Sequence, residues 1–354
     1  MALTNTMAIA RSFGCEFRFV WLAGTDPSLA DPTLLLGRDF VERFRITEEA
    51  LRGCTVIPEL EFVILERADA EDRWARLNEQ VFVEIKDPFD VVRLKDDDAA
   101  EATRRFLDCF HAMEWSDDAR RLIEIASGWD AGENISAVHV RAGDIVSGDW
   151  RHTMYYGKYM PLPFVVNAID QLSHNGERRV LVVSDQAPLV QWLRHRLGAV
   201  LTVADIIPRY DRLPEMLRPF ADLLVMSRCD SIHGPSSSAF SSYAARIGGH
   251  VVMPADRLVP TGQEAAVLYA GILDTESRME ELPFLRPLVA RDLIWYLDVF
   301  GDELPLRDQR DLARSAVAID PAPQCPAGPT TSRHRVRPEG APRDPRASGP
   351  NGTQ

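Results

Sequence analysis

The sequence of 354 residues contains little lysine, no clustered cysteine and no long apolar run. Its five cysteines never form a C-x-x-C pair, which argues against a disulfide framework or a zinc ribbon and favours a reducing cytoplasm. No run of about 18 uncharged apolar residues is present, so we expect no membrane-spanning helix. The N-terminus lacks the basic start and apolar core of a signal peptide. We therefore expect a cytoplasmic protein.

Several catalytic signatures are also missing. The chain has no Walker A loop and no G-x-G-x-x-G after a strand, which argues against a P-loop kinase and a typical nicotinamide dehydrogenase. It has neither G-x-S-x-G nor H-E-x-x-H, which argues against many hydrolases and zincins. The net charge of −13 argues against nucleic acid as the main partner, because an acidic surface repels phosphate backbones.

Composition divides the chain into three parts. Residues 320–354 hold eight of the 24 prolines and almost no large apolar side chain, so they are predicted to be a disordered tail. Before the tail, strand-like and helix-like segments alternate. We predict an N-terminal α/β domain over residues 1–134 and a C-terminal α/β domain over 135–319, the latter closed by a helix at Arg286–Phe300.

In the first part, extended or strand segments are predicted at Phe17–Trp21, Phe62–Leu65 and Val81–Ile85. Helices are predicted at Asp98–Trp115 and Asp117–Trp129, the second capped by Ser116. In the second part, strands and helices alternate regularly. The strands are Ile135–Val140, Val180–Ser184, Val200–Val203, Ser231–His233 and His250–Met253, and the helices are Leu162–Leu172, Leu189–Leu197, Glu215–Cys229 and Ser238–Ile247. Because these strands are nearly all apolar, they predict a parallel sheet covered on both faces.

Polar residues occupy the end of the first of these strands and the turn after it, where ligands of such sheets bind. His139 and Arg141 alternate with period 2, so they share one face of the strand. Gly143 allows a tight turn, and the Arg141 guanidinium could bind a phosphate or carboxylate with two parallel hydrogen bonds. The structural alternative is an ion pair between Arg141 and Asp144 that closes the turn.

The next strand ends at Ser184 and Asp185. Either residue could cap the following helix, and capping alone would explain both. The functional alternative is a contact from Asp185 to a ribose or a base. The motif does not choose between these two interpretations.

A third strand runs into a Gly-Pro turn and a group of serines that opens a helix. Backbone N–H groups, the positive end of the helix dipole and several hydroxyls converge there, as in a pyrophosphate site. One serine would suffice as a helix cap, so the serine group favours anion binding. The residues are Ser236, Ser237, Ser238, Phe240 and Ser241.

These three motifs, in this order, resemble fucosyltransferase-type glycosyltransferases over roughly residues 135–253. The family includes the α-1,2-, α-1,6- and protein O-fucosyltransferases and the nodulation fucosyltransferase. The H-x-R-x-G-D motif that starts at His139 is the most specific part. The resemblance implies a GT-B fold with two Rossmann-like domains facing a cleft. It also implies metal-independent, inverting transfer from a GDP-sugar, typically GDP-fucose, to a glycan or other hydroxyl acceptor, with no cofactor.

The resemblance also implies roles for individual residues. Arg141 would neutralise the β-phosphate of the departing GDP, and Asp149, ten residues after His139, would be the base that takes the acceptor proton. The alternative for Asp149 is an ordinary surface loop residue. Lys158 is a weaker candidate for substrate contact. The expected donor-binding residues are His139, Arg141, Asp144, Ser184, Asp185, Ser236, Ser237, Ser238, Phe240 and Ser241.

Two features depart from the family pattern. Ala142 stands where many relatives have a second arginine. The opening strand and glycine-rich loop of relatives have no counterpart before Ala2–Ala10, which resembles their first helix, so we expect the first domain to be incomplete. Two alternatives to an active transferase follow. One is a degenerate, non-catalytic protein that binds a nucleotide or glycan, and the other is a pyruvyl-transferase-like enzyme on the same architecture.

Overall fold

The structure of the protein is a computed structural model that describes part of the chain. The described residues are 1–21, 30–76, 81–85, 90–129, 135–142, 160, 162–173, 178–235 and 238–254. All of them belong to one compact unit, Met1–Asp320. A second unit, Pro321–Gln354, lies outside the described residues, as do the predicted tail and the predicted helix Arg286–Phe300.

The elements before residue 90 include a small parallel sheet. They are α1 Ala2–Phe13, α2 Arg38–Phe44, β1 Thr55–Pro58, α3 Glu59–Phe62, α4 Arg67–Arg76 and β2 Val81–Glu84. Two short 3-10 helices, Pro32–Leu34 and Glu48–Leu51, lie between them. Strands β1 and β2 pair in parallel. The strand predicted at Val81–Ile85 is therefore confirmed.

The strand predicted at Phe62–Leu65 is wrong, because Phe62 is the last residue of α3. Acidic residues in the first turn of α3, Glu59 and Glu61, interact favourably with the helix dipole. The segment predicted as extended at Phe17–Trp21 forms only a single bridge, between Phe19 and Arg45. Its buried side chains share one face as predicted, since the rings of Phe17 and Phe19 are 6.0 Å apart in one cluster.

Two capped helices follow, α5 Ala99–His111 and α6 Asp117–Gly128. The Asp98 carboxylate accepts a hydrogen bond from the Glu101 N–H at 2.8 Å, and the Ser116 hydroxyl accepts one from the Ala119 N–H at 3.1 Å. Both caps satisfy N–H groups that have no partner inside the helix. The cap predicted at Ser116 is confirmed, while α5 ends four residues before the predicted end.

A five-stranded, wholly parallel sheet occupies the second part of the chain, which confirms the predicted α/β class and parallel sheet. Its spatial order is β5-β4-β3-β6-β7. The strands are β3 Ser136–Val140, β4 Val180–Ser184, β5 Val200–Leu201, β6 Ser231–Gly234 and β7 Val252–Pro254. The helices are α7 Leu162–Leu172, α8 Ala187–Leu197, α9 Leu217–Met226 and α10 Ala239–Gly248. In register, Ser136 pairs with Val180 on one side and with Ser231 on the other.

The connections place helices on both faces of this sheet. The chain moves outward from β3 through α7 to β4 and through α8 to β5, then returns through α9 to β6 on the other side of β3. Crossovers of this kind are right-handed, so the face on which a helix lies depends on the direction in which it connects the strands. Helices α7 and α8 connect in one direction and lie on one face, and α9 and α10 connect in the other direction and lie on the opposite face. The point of reversal lies between β3 and β6, and ligands of doubly wound sheets bind beyond the carboxyl ends of the strands at such a point.

The core on the α9–α10 face joins this sheet to elements from the first part of the chain. Ala137, Leu181 and Ile232 of the sheet are fully buried in one cluster with Phe106 of α5 and Leu122 of α6. Helix α6 packs along α9, and α5 contacts α10. The rings of Trp115 and Phe220 lie 4.9 Å apart across this junction. The division of residues 1–319 into two domains stays a prediction.

Candidate functional site

His139 lies at the centre of the candidate site, one residue before the end of β3. The apolar strand carries it to the face covered by α9 and α10, because Ala137, two residues earlier, is buried on that face. Its Nδ1 atom is 2.8 Å from the Ser241 hydroxyl oxygen and 3.3 Å from that of Ser238. Its ring lies 5.1 Å from the Phe240 ring. Three residues predicted for the donor site, Ser238, Phe240 and Ser241, therefore lie next to His139.

The first turn of α10 supplies two buried hydroxyls. Ser238 caps the helix, since its hydroxyl accepts a hydrogen bond from the Ser241 N–H at 3.4 Å. Ser238 is 1% exposed and Ser241 is fully buried. The expectation that one serine of the group caps the helix is therefore correct, while Ser241 instead bonds to His139.

A glycine makes the close approach of Ser241 to the sheet possible. A Cβ atom at Gly234, the last residue of β6, would lie 2.8 Å from the Ser241 hydroxyl oxygen and 3.4 Å from the His139 Cβ. The sequence pattern predicts Gly234 only as part of a Gly-Pro turn. The signal for its packing role is a strand that ends in a residue without a side chain shortly before a helix N-terminus.

Asp185 does not cap the helix that follows it, so that interpretation is wrong. Helix α8 begins after Gln186, which makes no side-chain cap, and the Gln186 N–H donates to the Ser184 hydroxyl at 3.2 Å. The Asp185 carboxylate instead accepts a hydrogen bond from the Ala142 N–H at 2.9 Å. This bond fixes Ala142, the residue after Arg141, and so holds the chain in place where it leaves β3.

Arg141 follows the last residue of β3 and is half-buried. Burial and, to a smaller extent, the positive charge of Arg141 lower the pKa of His139 to about 4. His139 is consequently neutral at pH 7, and its Nδ1 lies at hydrogen-bond distance from two hydroxyls. Ala142 is 2% exposed, so the position where relatives have a second arginine holds a buried methyl group here.

The arrangement suits an anion better than a cation. Arg141, whose charge acts on His139, follows β3, and the N-terminus of the ten-residue helix α10 follows β6, so both lie at the reversal point of the sheet. Four predicted site residues, Asp144, Asp149, Ser236 and Ser237, lie outside the described residues, as does Lys158. Their predicted roles stay predictions.

Two further observations concern the described part of the chain alone. Within it, no group of three or more His, Cys, Asp and Glu side chains is placed to hold a metal ion. None of the helices described there has both the length and the apolar content needed to cross a membrane.

The buried neutral His139 predicts a specific pH dependence of stability. Its pKa is about 4 in the folded state against about 6.5 when unfolded, so the unfolded state binds the proton more tightly. As the pH falls from about 6.5 to about 4, the free energy of unfolding should drop by about 2 kcal/mol through this group alone. Urea denaturation at several pH values should therefore give a flatter profile for His139→Asn than for the wild type. His195→Asn, which removes an exposed imidazole, is the control, and equal slopes for the His139→Asn and wild-type proteins would contradict the assignment.

Comparisons with known proteins give similarity at the level of solved structures. No family model matches the sequence, and no curated protein matches it significantly. POFUT1 in complex with GDP-fucose is 10% identical with a TM-score of 0.41, covering 72% of this chain and 91% of that chain. The fucosyltransferase NodZ from Bradyrhizobium is 14% identical with a TM-score of 0.37, covering 68% and 86%.

Proposed function

We propose that the protein is a metal-independent glycosyltransferase that binds a GDP-sugar beyond the carboxyl ends of β3 and β6. The observation that carries the proposal is the position of Arg141, directly after β3, and of the N-terminus of α10, which the Ser238 and Ser241 hydroxyls hold against His139, both at the reversal point of the sheet. A diphosphate carries negative charge and many acceptor oxygens, so it complements the Arg141 charge and the backbone N–H groups at the N-terminus of α10, which the buried Ser238 and Ser241 hydroxyls position. The neutral His139 holds the hydroxyls in place and adds no competing charge.

The proposed reaction is an inverting displacement. An acceptor hydroxyl attacks the anomeric carbon, a new C–O bond forms, and the bond between the sugar and the diphosphate breaks. Negative charge grows on the departing diphosphate, where the fixed guanidinium of Arg141 stabilises it. The acceptor proton passes to a carboxylate, for which Asp149 is the candidate. In this proposal residues 1–134 contribute the acceptor side.

Asp185 is the proposed contact to the nucleoside. It lies directly after β4, and its bond to the Ala142 N–H places it next to the residue that follows Arg141. A carboxylate at this place could accept hydrogen bonds from a ribose or from the N–H groups of a guanine ring. We propose GDP-fucose as the donor from the motif resemblance alone. The acceptor is proposed as a glycan or another compound with a hydroxyl group.

The test is binding and turnover with the purified full-length chain. A ligand that binds only the folded state stabilises it by about 2.7 kcal/mol at a hundred times its Kd, so GDP in EDTA-containing buffer should raise Tm. Of ADP, CDP, UDP and GDP, we expect GDP to give the largest shift. Transfer or hydrolysis of GDP-fucose should then be measurable.

Three other outcomes would each revise the proposal. Stabilisation by GDP without turnover of any GDP-sugar would favour a non-catalytic binding protein, the interpretation that Ala142 in place of an arginine supports. Turnover with phosphoenolpyruvate in place of a GDP-sugar would favour the pyruvyl-transferase alternative. Absence of a shift with all four nucleotides would refute the nucleotide site.

A further inference from the structure

A partly buried polar network connects early and late segments of the described chain. Its members are Asn5 on α1, Asp90 at the start of the segment that leads to α5, and Tyr243 and Arg246 on α10. We call these four residues the clasp. The pairs that bond are 153 or more residues apart along the chain, except Asn5 with Asp90.

The hydroxyl of Tyr243 is at the centre of the clasp. It accepts a hydrogen bond from Asn5 Nδ2 at 2.9 Å and donates one to the Asp90 carbonyl oxygen at 2.9 Å. Asn5 Oδ1 in turn accepts from the Val92 N–H at 2.9 Å, so the amide is bonded at both ends. Asn5 is fully buried and Tyr243 is 3% exposed, so these bonds are shielded from water. The Tyr243 ring stacks on Phe106 of α5 with 5.6 Å between centroids.

Arg246 adds a second connection one turn further along α10. Its Nε and Nη2 atoms donate to the two carboxylate oxygens of Asp90 at 3.1 and 2.8 Å. Both side chains are more than a third exposed, so solvent screens this pair and its contribution is the smaller one. The buried hydroxyl of Tyr243 is therefore the part of the clasp that an experiment should remove first.

The clasp and the candidate site share one rigid helix. Ser241 of the site precedes Tyr243 by only two residues, which is about 3 Å along the helix axis. The side chain of Ser241 faces His139, while those of Tyr243 and Arg246 hold Asn5 and Asp90. A shift or rotation of α10 that loosens the clasp therefore also moves the hydroxyl of Ser241 relative to His139.

We propose that Tyr243 and Arg246 are positioning residues of the nucleotide site, and that α1 and Asp90 control the affinity for the diphosphate through them. Neither residue touches the ligand in this proposal. Their effect on binding comes from fixing the axial position and rotation of α10, whose first turn supplies the hydroxyls. This inference rests on the proposed function, because it assumes that the site binds a nucleoside diphosphate.

The test compares a buried tyrosine with a partly buried one. Tyr243→Phe removes the hydroxyl of the clasp, and Tyr210→Phe removes one outside the clasp, which donates to Asp222 of α9 at 2.7 Å. Calorimetric titration with GDP should give a Kd raised by about fivefold or more for Tyr243→Phe. The Kd of Tyr210→Phe should be unchanged. Arg246→Lys, which keeps the charge and loses the two-pronged contact, should raise the Kd by less than Tyr243→Phe.

Hydrogen exchange of the amides at 238–242 provides a readout that needs no ligand. Exchange there should be faster in Tyr243→Phe than in the wild type and unchanged in Tyr210→Phe. If the wild type binds no GDP but this exchange pattern holds, the proposed function fails while the mechanical link from the clasp to the site stands. If exchange at 238–242 is the same in both variants, or if Tyr243→Phe binds GDP like the wild type, the inference is overturned.

Discussion

Replacing Arg141 by alanine is expected to abolish the stabilisation by GDP and to lower kcat/KM for transfer by about a hundred- to a thousandfold. The guanidinium follows β3 directly, at the reversal point of the sheet, and the departing diphosphate would gain its charge there. Among the described residues of the site, the N-terminus of α10 would then remain to bind the anion, without a full positive charge. Thermal shifts with GDP and initial rates with GDP-fucose measure the two effects.

Two variants separate the charge of Arg141 from its shape. Arg141→Lys keeps the charge and loses the planar fork, so its affinity for GDP should lie between those of the wild type and Arg141→Ala. Arg179→Ala removes an exposed arginine directly before β4, at the amino-terminal ends of the strands and so opposite to the candidate site. This variant should bind GDP normally. Normal GDP binding by Arg141→Ala would refute the role given to this residue.

The second large effect is expected from one added methyl group, in Gly234→Ala. The new Cβ would meet the Ser241 hydroxyl oxygen at 2.8 Å, a distance at which one of the two atoms must move. The hydroxyl would be displaced from His139, and GDP affinity should fall by about tenfold, equivalent to about 1.4 kcal/mol. Overpacking in this buried place should also lower the free energy of unfolding by about 1–3 kcal/mol. Titration calorimetry and urea denaturation give the two quantities.

The steric cause of this effect has its own controls. At Gly128, near the end of α6, an added Cβ meets nothing within 4 Å, so Gly128→Ala should change neither quantity appreciably. Adding Ser241→Ala to Gly234→Ala removes the oxygen that clashes and should restore part of the lost stability without restoring GDP affinity. If Ser241→Ala lowers the free energy of unfolding by the same amount in the Gly234→Ala protein as in the wild type, the clash is not the cause.

The sheet that carries the candidate site was predictable from sequence because its signals are strong and local. Buried parallel strands need nearly continuous apolar runs, and β4 at Val180–Ser184 has the predicted bounds. Helix α7 at Leu162–Leu172 likewise begins and ends where its pattern predicts. The first part was harder, because strand β1 at Thr55–Pro58 has four residues, half of them exposed. A segment that short carries no clear period, and at Phe62 local helix signals prevailed over an apolar run.

The sequence predicts which residues belong to the candidate site, but not which of them contact each other. Period 2 along β3 identifies His139, and the serine group at the start of α10 identifies Ser241. Their 2.8 Å contact depends on how closely α10 approaches the sheet, which Gly234 allows. For Asp185 the sequence leaves helix capping and a ligand contact both open, because capping is a local rule that reads only neighbouring residues. Its actual partner, the Ala142 N–H, is 43 residues away and becomes a neighbour only once β3 and β4 pair.

The parallel pairing of the central strand has a consequence for biosynthesis. Ser136 of β3 faces Ser231 of β6, 95 residues later. At about 5–20 residues per second, β6 leaves the ribosome about 5–20 s after β3. During that interval β3 can pair with β4 on one side only, and its other edge presents unpaired N–H and C=O groups. We expect nascent chains that stop before residue 231 to depend on chaperones and to aggregate when these are depleted.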